Sequence, residues 1–216
     1  TRVFANDQAQ MGIQTDLYAW TAFLMVLFTY RMETAFFKFG TAKATRPTAY
    51  KTAKNALAFT TLVLVSLLVL FAQPIATWLE YPAHAIYVIW FALILGFDAL
   101  SAIPFAMLRL ESKAKLFAGI KLLNLFVHLG FVLFFLAIMP TWLPQYYRPE
   151  WGVGYVFLAN LIASGVTFLL LLPTYFYKQQ TDETTGEVVA IFDKKLLREM
   201  AIYSLPLVFA GLAGIV

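Results

Sequence analysis

Residues 11–40 read MGIQTDLYAWTAFLMVLFTYRMETAFFKFG, an apolar run of membrane length that contains charged residues. A helix that spans a bilayer needs about 20 mostly apolar residues. Here only 14 uncharged residues separate Asp16 from Arg31. A charged side chain at the centre of a membrane helix costs about 2.5–3.5 kcal/mol on insertion scales. We therefore predict that Arg31 and Glu33 face protein, a partner or a water-filled cavity.

Composition places the chain among integral membrane proteins. Its 216 residues are 61% hydrophobic and only 13% charged, unlike a soluble domain. The formal net charge is +4, but the basic residues lie between apolar runs, which is typical of membrane topology and not of nucleic-acid binding. The chain has no cysteine and only two histidines, His84 and His128, so we expect no disulfide, no metal site and no cofactor.

Further apolar runs follow residue 40 and predict an all-α bundle of transmembrane helices. They are residues 55–79, 85–108, 116–139, 153–177 and 200–216. The last run contains 17 residues and has no polar anchor after it, so we expect the chain to be a fragment of a longer protein.

The distribution of lysine and arginine predicts the orientation of the bundle. Fourteen of the 16 basic residues lie in or beside three alternate connections. Cytoplasmic loops carry an excess of basic residues, so we predict a multi-pass protein of the inner (plasma) membrane with these connections inside. The cytoplasmic connections are then residues 38–55, 109–121 and 178–199. The aromatic loop at 140–152 is predicted to form a belt at the outer interface.

Helical spacing separates the two charged residues of the opening stretch. On a regular helix Arg31 and Glu33 point in nearly opposite directions, so they cannot pair with each other. We predict that each meets a different neighbour. The structural alternative is an ion pair with an adjacent helix, with Arg31 extended towards the membrane surface.

Asp98 lies near the middle of an otherwise uncharged span. Ser101 and Phe105 share its helix face, and Arg109 lies at the end of the helix. An acid at mid-membrane is by default a substrate, ion or proton site; the alternative is a protonated carboxyl group that binds a neighbouring helix. Pro104 frees a backbone carbonyl and allows a kink.

Polar residues continue into the next two spans. Lys121, Asn124 and His128 fall within about 60° of one another on a helix, which predicts a lined cavity. Taken alone, Lys121 can extend to the interface, and a single histidine is more often a satisfied core residue. The following span carries a milder polar stripe of Asn160, Ser164 and Thr167. We predict that its small residues, Ala159, Ala163 and Gly165, permit close helix packing.

Three segments carry a resemblance to a known family. They are YRMETAFFKFG (30–40), FDALSAIPFAMLRLESKAKLFAGIKLLNL (97–125) and DKKLLREMAIYSLPLVFAGLAGIV (193–216). They resemble the polysaccharide and lipopolysaccharide (O-antigen type) biosynthesis flippases of the multidrug/oligosaccharidyl-lipid/polysaccharide exporter superfamily. The resemblance implies a MATE-like transporter with two pseudo-symmetric helical lobes around a cavity that opens alternately to each side.

The resemblance also implies an organisation of this chain. Residues 1–177 would form the N-terminal lobe, with the end of helix 1 and helices 2 to 6. Residues 178–199 would form the cytoplasmic linker between the lobes, in which Asp193 caps a short amphipathic helix. Residues 200–216 would be the start of helix 7, in the C-terminal lobe.

The implied activity is transport of a polyprenyl-diphosphate-linked oligosaccharide from the cytoplasmic to the outer leaflet. We expect four residues to bind this substrate: Arg31, Lys121, Asn124 and His128. Glu33 and Asp98 are candidates for coupling to a proton or sodium ion. A cation-coupled multidrug exporter of the same superfamily is the first alternative. A polyprenyl-dependent glycosyltransferase or polymerase is the second, although we find no catalytic motif and expect no enzyme.

Overall fold

The structure, a computed structural model, describes residues 20–80, 82–148, 151–175 and 192–213. These residues form helices joined by short turns, without a strand. The helices are α1 (20–29), α2 (Met32–Phe39), α3 (Arg46–Leu70), α4 (Ala72–Trp78), α5 (Ala85–Leu110), α6 (Ala114–Leu133), α7 (Met139–Trp142), α8 (Gly154–Tyr175) and α9 (Lys194–Ala213).

Five helical segments are long and apolar enough to cross a membrane. They are α3, α5, the continuous α6–α7 segment, α8 and α9. The prediction of an all-α, membrane-embedded bundle is therefore confirmed. A π-helical segment, Phe134–Ile138, joins α6 to α7 without interrupting the span.

The opening stretch is not one regular helix. α1 ends before Tyr30 and α2 begins after Arg31, and these two residues have φ values of 33° and 54°. Non-glycine residues rarely adopt this left-handed backbone conformation, which a right-handed helix cannot contain. The prediction of a regular helix is wrong at this point. Asp16 lies outside the described residues.

The second apolar run also differs from its prediction. α3 begins at Arg46, nine residues before the predicted start, with Pro47 in its first turn where a proline is tolerated. The basic connection is therefore helical from residue 46 onwards. α3 ends at Leu70, and a turn at Phe71 leads into α4.

α5 is the central helix of the bundle. It packs mainly against α8 and α3, and also contacts α2, α4 and α6. Ile103 and Met107 of α5 join a buried cluster with Phe36 of α2 and Tyr50 of α3. This central position explains why the polar residues of α5 face protein instead of lipid.

α6 lies at the edge of the bundle, where it packs on α8. Its outer surface exposes large apolar side chains: Leu122, Leu125, Phe126, Leu129 and Leu133. A helix with an exposed apolar surface fits a lipid environment. The polar residues of α6 lie on the opposite side, towards α8.

The two ends of the bundle are held by different contacts. At one end, Tyr50 of α3 donates a hydrogen bond to the Thr174 carbonyl (2.6 Å), and Lys54 donates one to the Tyr175 carbonyl (2.8 Å). At the other end, the Tyr87 hydroxyl donates to the Trp151 carbonyl at 2.8 Å. Tyr50 and Lys54 thus give partners to carbonyl groups in the last described turn of α8.

α9 begins with the predicted cap. The Asp193 carboxylate accepts hydrogen bonds from the backbone N–H groups of Lys195 (2.8 Å) and Leu196 (3.1 Å). The helix is not short, however, because it continues to Ala213. The predicted boundary between linker and helix 7, after residue 199, therefore lies inside a continuous helix.

Candidate functional site: a polar cavity within the bundle

A cavity of about 270 Å³ lies between α1, α2, α5, α6 and α8. Most of the side chains that line it are polar or charged, although the helices that build it are strongly apolar. The polar lining residues are Glu33, Asp98, Ser101, Arg109, Lys121, Asn124, Asn160, Ser164 and Thr167. Groups of this kind within membrane-spanning helices indicate a functional site.

One face of α5 forms a wall of the cavity. Asp98, Ser101, Phe105 and Arg109 all line it, and their spacing of three and four residues places them in one row along the helix. The predicted grouping of Asp98 with Ser101 and Phe105 is confirmed. The structure adds Arg109, which the sequence located only at the helix end.

Hydrogen bonds link the walls made by α6 and α8. The Asn124 amide donates to the Thr167 hydroxyl at 2.9 Å, and Thr167 in turn donates to the Ala163 carbonyl at 2.9 Å. Asn160 and Ser164 lie on the same face of α8 and also line the cavity. The polar stripe predicted on this helix therefore lines the cavity, and its Thr167 also joins α8 to α6. Its spacing of three and four residues was the available signal.

Asp98 is half-buried at the inner part of the cavity. Its carboxyl group is a hydrogen-bond partner of the Ser164 hydroxyl, and the positive charge of Lys121 acts on it. In the described part of the chain Asp98 forms no direct ion pair. The carboxylate is thus not paired with a cation in the described residues and can bind a cation or a proton.

Arg109 lies at the opposite part of the cavity, beside Glu33. The distance from Arg109 Nη2 to Glu33 Oε2 is 3.7 Å, and the two side chains are 45% and 33% exposed. The guanidinium group also lies 4.9 Å from the ring centre of Phe37 and 5.4 Å from that of Phe117. A partly exposed ion pair and an exposed cation–π contact each contribute about 1 kcal/mol or less, so the two rings help to position the guanidinium group together with Glu33.

Lys121 is held in a similar way. Its Nζ lies 4.4 Å from the ring centre of Phe105, and this ring meets Phe117 edge to face at 5.3 Å. Both cations of the cavity therefore rest on one aromatic cluster. Ammonium and guanidinium groups are attracted to the faces of aromatic rings.

Arg31 lies outside this cavity. Its guanidinium group packs against α9, where a Cβ atom added at Gly211 would lie only 2.6 Å from Arg31 Nη2. The Arg31 Nε atom is buried and has no hydrogen-bond partner among the described residues. Arg31 and Glu33 thus meet different neighbours, as predicted, although the regular helix assumed for that prediction does not extend to Arg31. Arg31 does not join Lys121.

His128 is also separate from the cavity lining. It lies one turn beyond Asn124 on α6, and its Nε2 atom is buried without a hydrogen-bond partner in the described ranges. Of the four predicted substrate-binding residues, the structure brings Lys121 and Asn124 together and leaves Arg31 and His128 outside.

Comparisons with protein-family models, curated proteins and solved structures find no match. Within the described residues, no three histidine or acidic side chains are close enough to hold a metal ion. The cavity offers two carboxylates, two cations, and several amide and hydroxyl groups. Such a set suits a charged ligand that also forms many hydrogen bonds.

Proposed function

We propose that the chain is the N-terminal lobe of a MATE-like transporter. It flips a polyprenyl-diphosphate-linked oligosaccharide, a precursor of surface polysaccharide or O-antigen, from the cytoplasmic to the outer leaflet by alternating access. The supporting observation is the charged cavity among helices that are long and apolar enough to span a membrane. Ionisable groups are costly in this environment and mark pathways for substrates and ions.

The cavity lining matches the chemistry of the substrate headgroup. Arg109 and Lys121 supply the positive charge that a diphosphate requires. The amide groups of Asn124 and Asn160 can donate and accept hydrogen bonds with sugar hydroxyls. In this proposal Arg109 takes the role that the sequence assigned to Arg31.

Glu33 and Asp98 are proposed to couple transport to a proton or sodium ion. Each carboxylate lies close to a cation of the cavity, so its occupancy by an ion depends on that cation. Binding of an anionic substrate to the cations would then change the affinity of the carboxylates for the coupling ion. This reciprocity is a requirement of linked binding.

A cation-coupled drug exporter remains the second candidate. The observation in its favour is that the cavity contains as many acids as bases, with Asp98 free of any described ion pair. A small cationic compound would bind such a carboxylate directly. Export of cationic compounds, measured in cells, separates this candidate from the flippase.

The proposal is tested by the leaflet distribution of the lipid-linked oligosaccharide in cells that lack and then re-express the full-length protein. Loss of the outer-leaflet pool, with accumulation inside and recovery on re-expression, is the expected result. Lys121→Ala should lower recovery about tenfold, since hydrogen bonds to charged groups contribute about 1.5–3 kcal/mol. Lys115→Ala, an exposed lysine outside the cavity, is the matched control. An unchanged distribution contradicts the proposal and favours the drug exporter.

A further inference from the structure

The contact between Glu33 and Arg109 is unusual in length and position. A charge-assisted N–H···O bond is normally about 2.7–2.9 Å long. The Arg109–Glu33 distance is 3.7 Å, whereas the pair between Glu111 and Lys113, outside the cavity, is 2.7 Å. Glu33 therefore lies near the guanidinium group without saturating it.

The position of Arg109 does not depend on Glu33 alone. Phe37 and Phe117 hold the guanidinium group through their ring faces. A guanidinium group carries five N–H donors, and the described contact with Glu33 runs from one nitrogen to one oxygen. Donors therefore remain through which an incoming anion can engage Arg109 before it displaces Glu33.

Lys121 makes this arrangement suitable for an anion with more than one charge. It lines the same cavity and rests on Phe105, which packs against Phe117. A phosphoric anhydride offers several charged oxygens to both cations, whereas Glu33 offers one charge to one of them. The anhydride is therefore the stronger ligand for Arg109.

We infer that Glu33 is an internal competitor for the anion-binding site: its carboxylate occupies Arg109 when the cavity is empty, and a phosphoric anhydride displaces it. This inference rests on the proposed function. Because Glu33 belongs to α2 and Arg109 to α5, displacement breaks a link between these helices. Binding in the cavity thereby changes a contact of α2, the helix that follows the interruption at Tyr30 and Arg31.

The test measures binding by calorimetry to the full-length protein in lipid nanodiscs. The ligands are inorganic pyrophosphate and farnesyl diphosphate, with farnesol as the uncharged control. Glu33→Gln should bind both anions about two- to fivefold more tightly, the range expected for removing a partly exposed ion pair. Glu111→Gln removes an acid outside the cavity and should leave both affinities unchanged.

Arg109 variants show whether Glu33 acts through this arginine. Arg109→Gln should weaken binding about tenfold or more. The double variant Glu33→Gln/Arg109→Gln should bind like Arg109→Gln, because the competitor has no effect once its target is absent. Arg109→Lys keeps the charge and should give an intermediate affinity, which separates lost binding from misfolding.

Each outcome decides a different point. Wild-type binding with unchanged affinity in Glu33→Gln overturns the inference and leaves the proposed function intact. Tighter anion binding by Glu33→Gln/Arg109→Gln than by Arg109→Gln also overturns it. Absence of anion binding to the wild-type protein overturns the inference together with the diphosphate part of the proposed function. Stronger binding of farnesyl diphosphate than of pyrophosphate supports a lipid-linked headgroup as the ligand, and equal binding supports a free anhydride.

Discussion

Tyr87 shows how closely the helices approach at a single residue. A Cβ atom added at Gly154 would lie 2.6 Å from Tyr87 Cε1 and 2.9 Å from its hydroxyl oxygen. Tyr87 is 5% exposed, and its hydroxyl donates a hydrogen bond to the Trp151 carbonyl. The ring therefore cannot move aside without losing packing and a hydrogen bond.

We predict that Gly154→Ala destabilises the protein by about 1–3 kcal/mol, the usual cost of overpacking. Thermal unfolding of the purified protein, followed by tryptophan fluorescence, measures the change. Gly119→Ala is the matched control, because nothing lies within 4 Å of its added Cβ atom. It should be neutral or stabilising, since alanine favours helices over glycine by about 1 kcal/mol. Equal stability of both variants would contradict this account of the α5–α8 contact.

Asp98 carries the prediction for ion coupling. Asp98→Asn keeps the shape of the side chain and a hydrogen-bond partner for Ser164, but it cannot carry a charge. We predict that the protein folds normally and that recovery of the outer-leaflet pool falls by about tenfold or more. Glu111→Gln neutralises an acid outside the cavity and should transport normally. Normal transport by Asp98→Asn would remove this residue from the coupling mechanism.

At the scale of the helix, α3 stabilises the end of α8. Tyr50 and Lys54 are one turn apart on α3 and bind the carbonyls of Thr174 and Tyr175. The cation of Lys54 also lies favourably near the negative end of the α8 dipole. Two residues of one helix thus satisfy carbonyl groups at the last turn of another.

We predict that Tyr50→Phe lowers the stability of the protein by about 1–3 kcal/mol, because the Thr174 carbonyl loses its described partner. The measurement is again thermal unfolding. Tyr203→Phe provides a matched control, since the Tyr203 ring packs on Lys38 and its hydroxyl has no described hydrogen bond. An equal loss of stability in Tyr50→Phe and Tyr203→Phe would contradict the prediction, because the loss would then not come from the hydrogen bond to Thr174.

Sequence reasoning succeeded where the helices are regular. Asp98, Ser101 and Phe105 lie on one face because α5 is continuous through Pro104, so simple periodicity located this part of the row. It failed at Tyr30 and Arg31, where two left-handed residues interrupt the helix without a glycine or proline to signal it. Arg31 therefore packs against α9. A helical wheel of residues 11–40 cannot predict this contact because it assumes one regular helix.

The cavity itself required tertiary structure. Asn124 and Thr167 lie on different helices and form a hydrogen bond because α6 packs on α8, a neighbour relation that periodicity does not specify. The guanidinium group of Arg109 is positioned by the rings of Phe37 on α2 and Phe117 on α6. Periodicity within α5 cannot show that these two helices meet it. Sequence identified several of the polar residues, and packing determined which of them meet.

At the scale of the whole molecule, the segregation of basic residues predicts a fixed orientation. Ala44 and Gln145 are exposed in connections on opposite sides of the predicted topology. The 216 residues contain no cysteine, so each substitution gives this part of the protein a single labelling site. We predict that Ala44→Cys reacts with membrane-impermeant maleimide only after the cell is opened, and that Gln145→Cys reacts in intact cells. The reverse pattern would contradict the predicted orientation.

Translocation by the purified full-length protein is the most direct test of the account. The protein is reconstituted into liposomes with a fluorescent polyprenyl-diphosphate-linked oligosaccharide, and an impermeant quencher reports the lipid in the outer leaflet. We predict that protected lipid becomes accessible in the presence of the protein and that Lys121→Ala slows this exchange. Lipid that remains protected, as in protein-free liposomes, would contradict the claim that the polar cavity carries a lipid-linked oligosaccharide across the membrane.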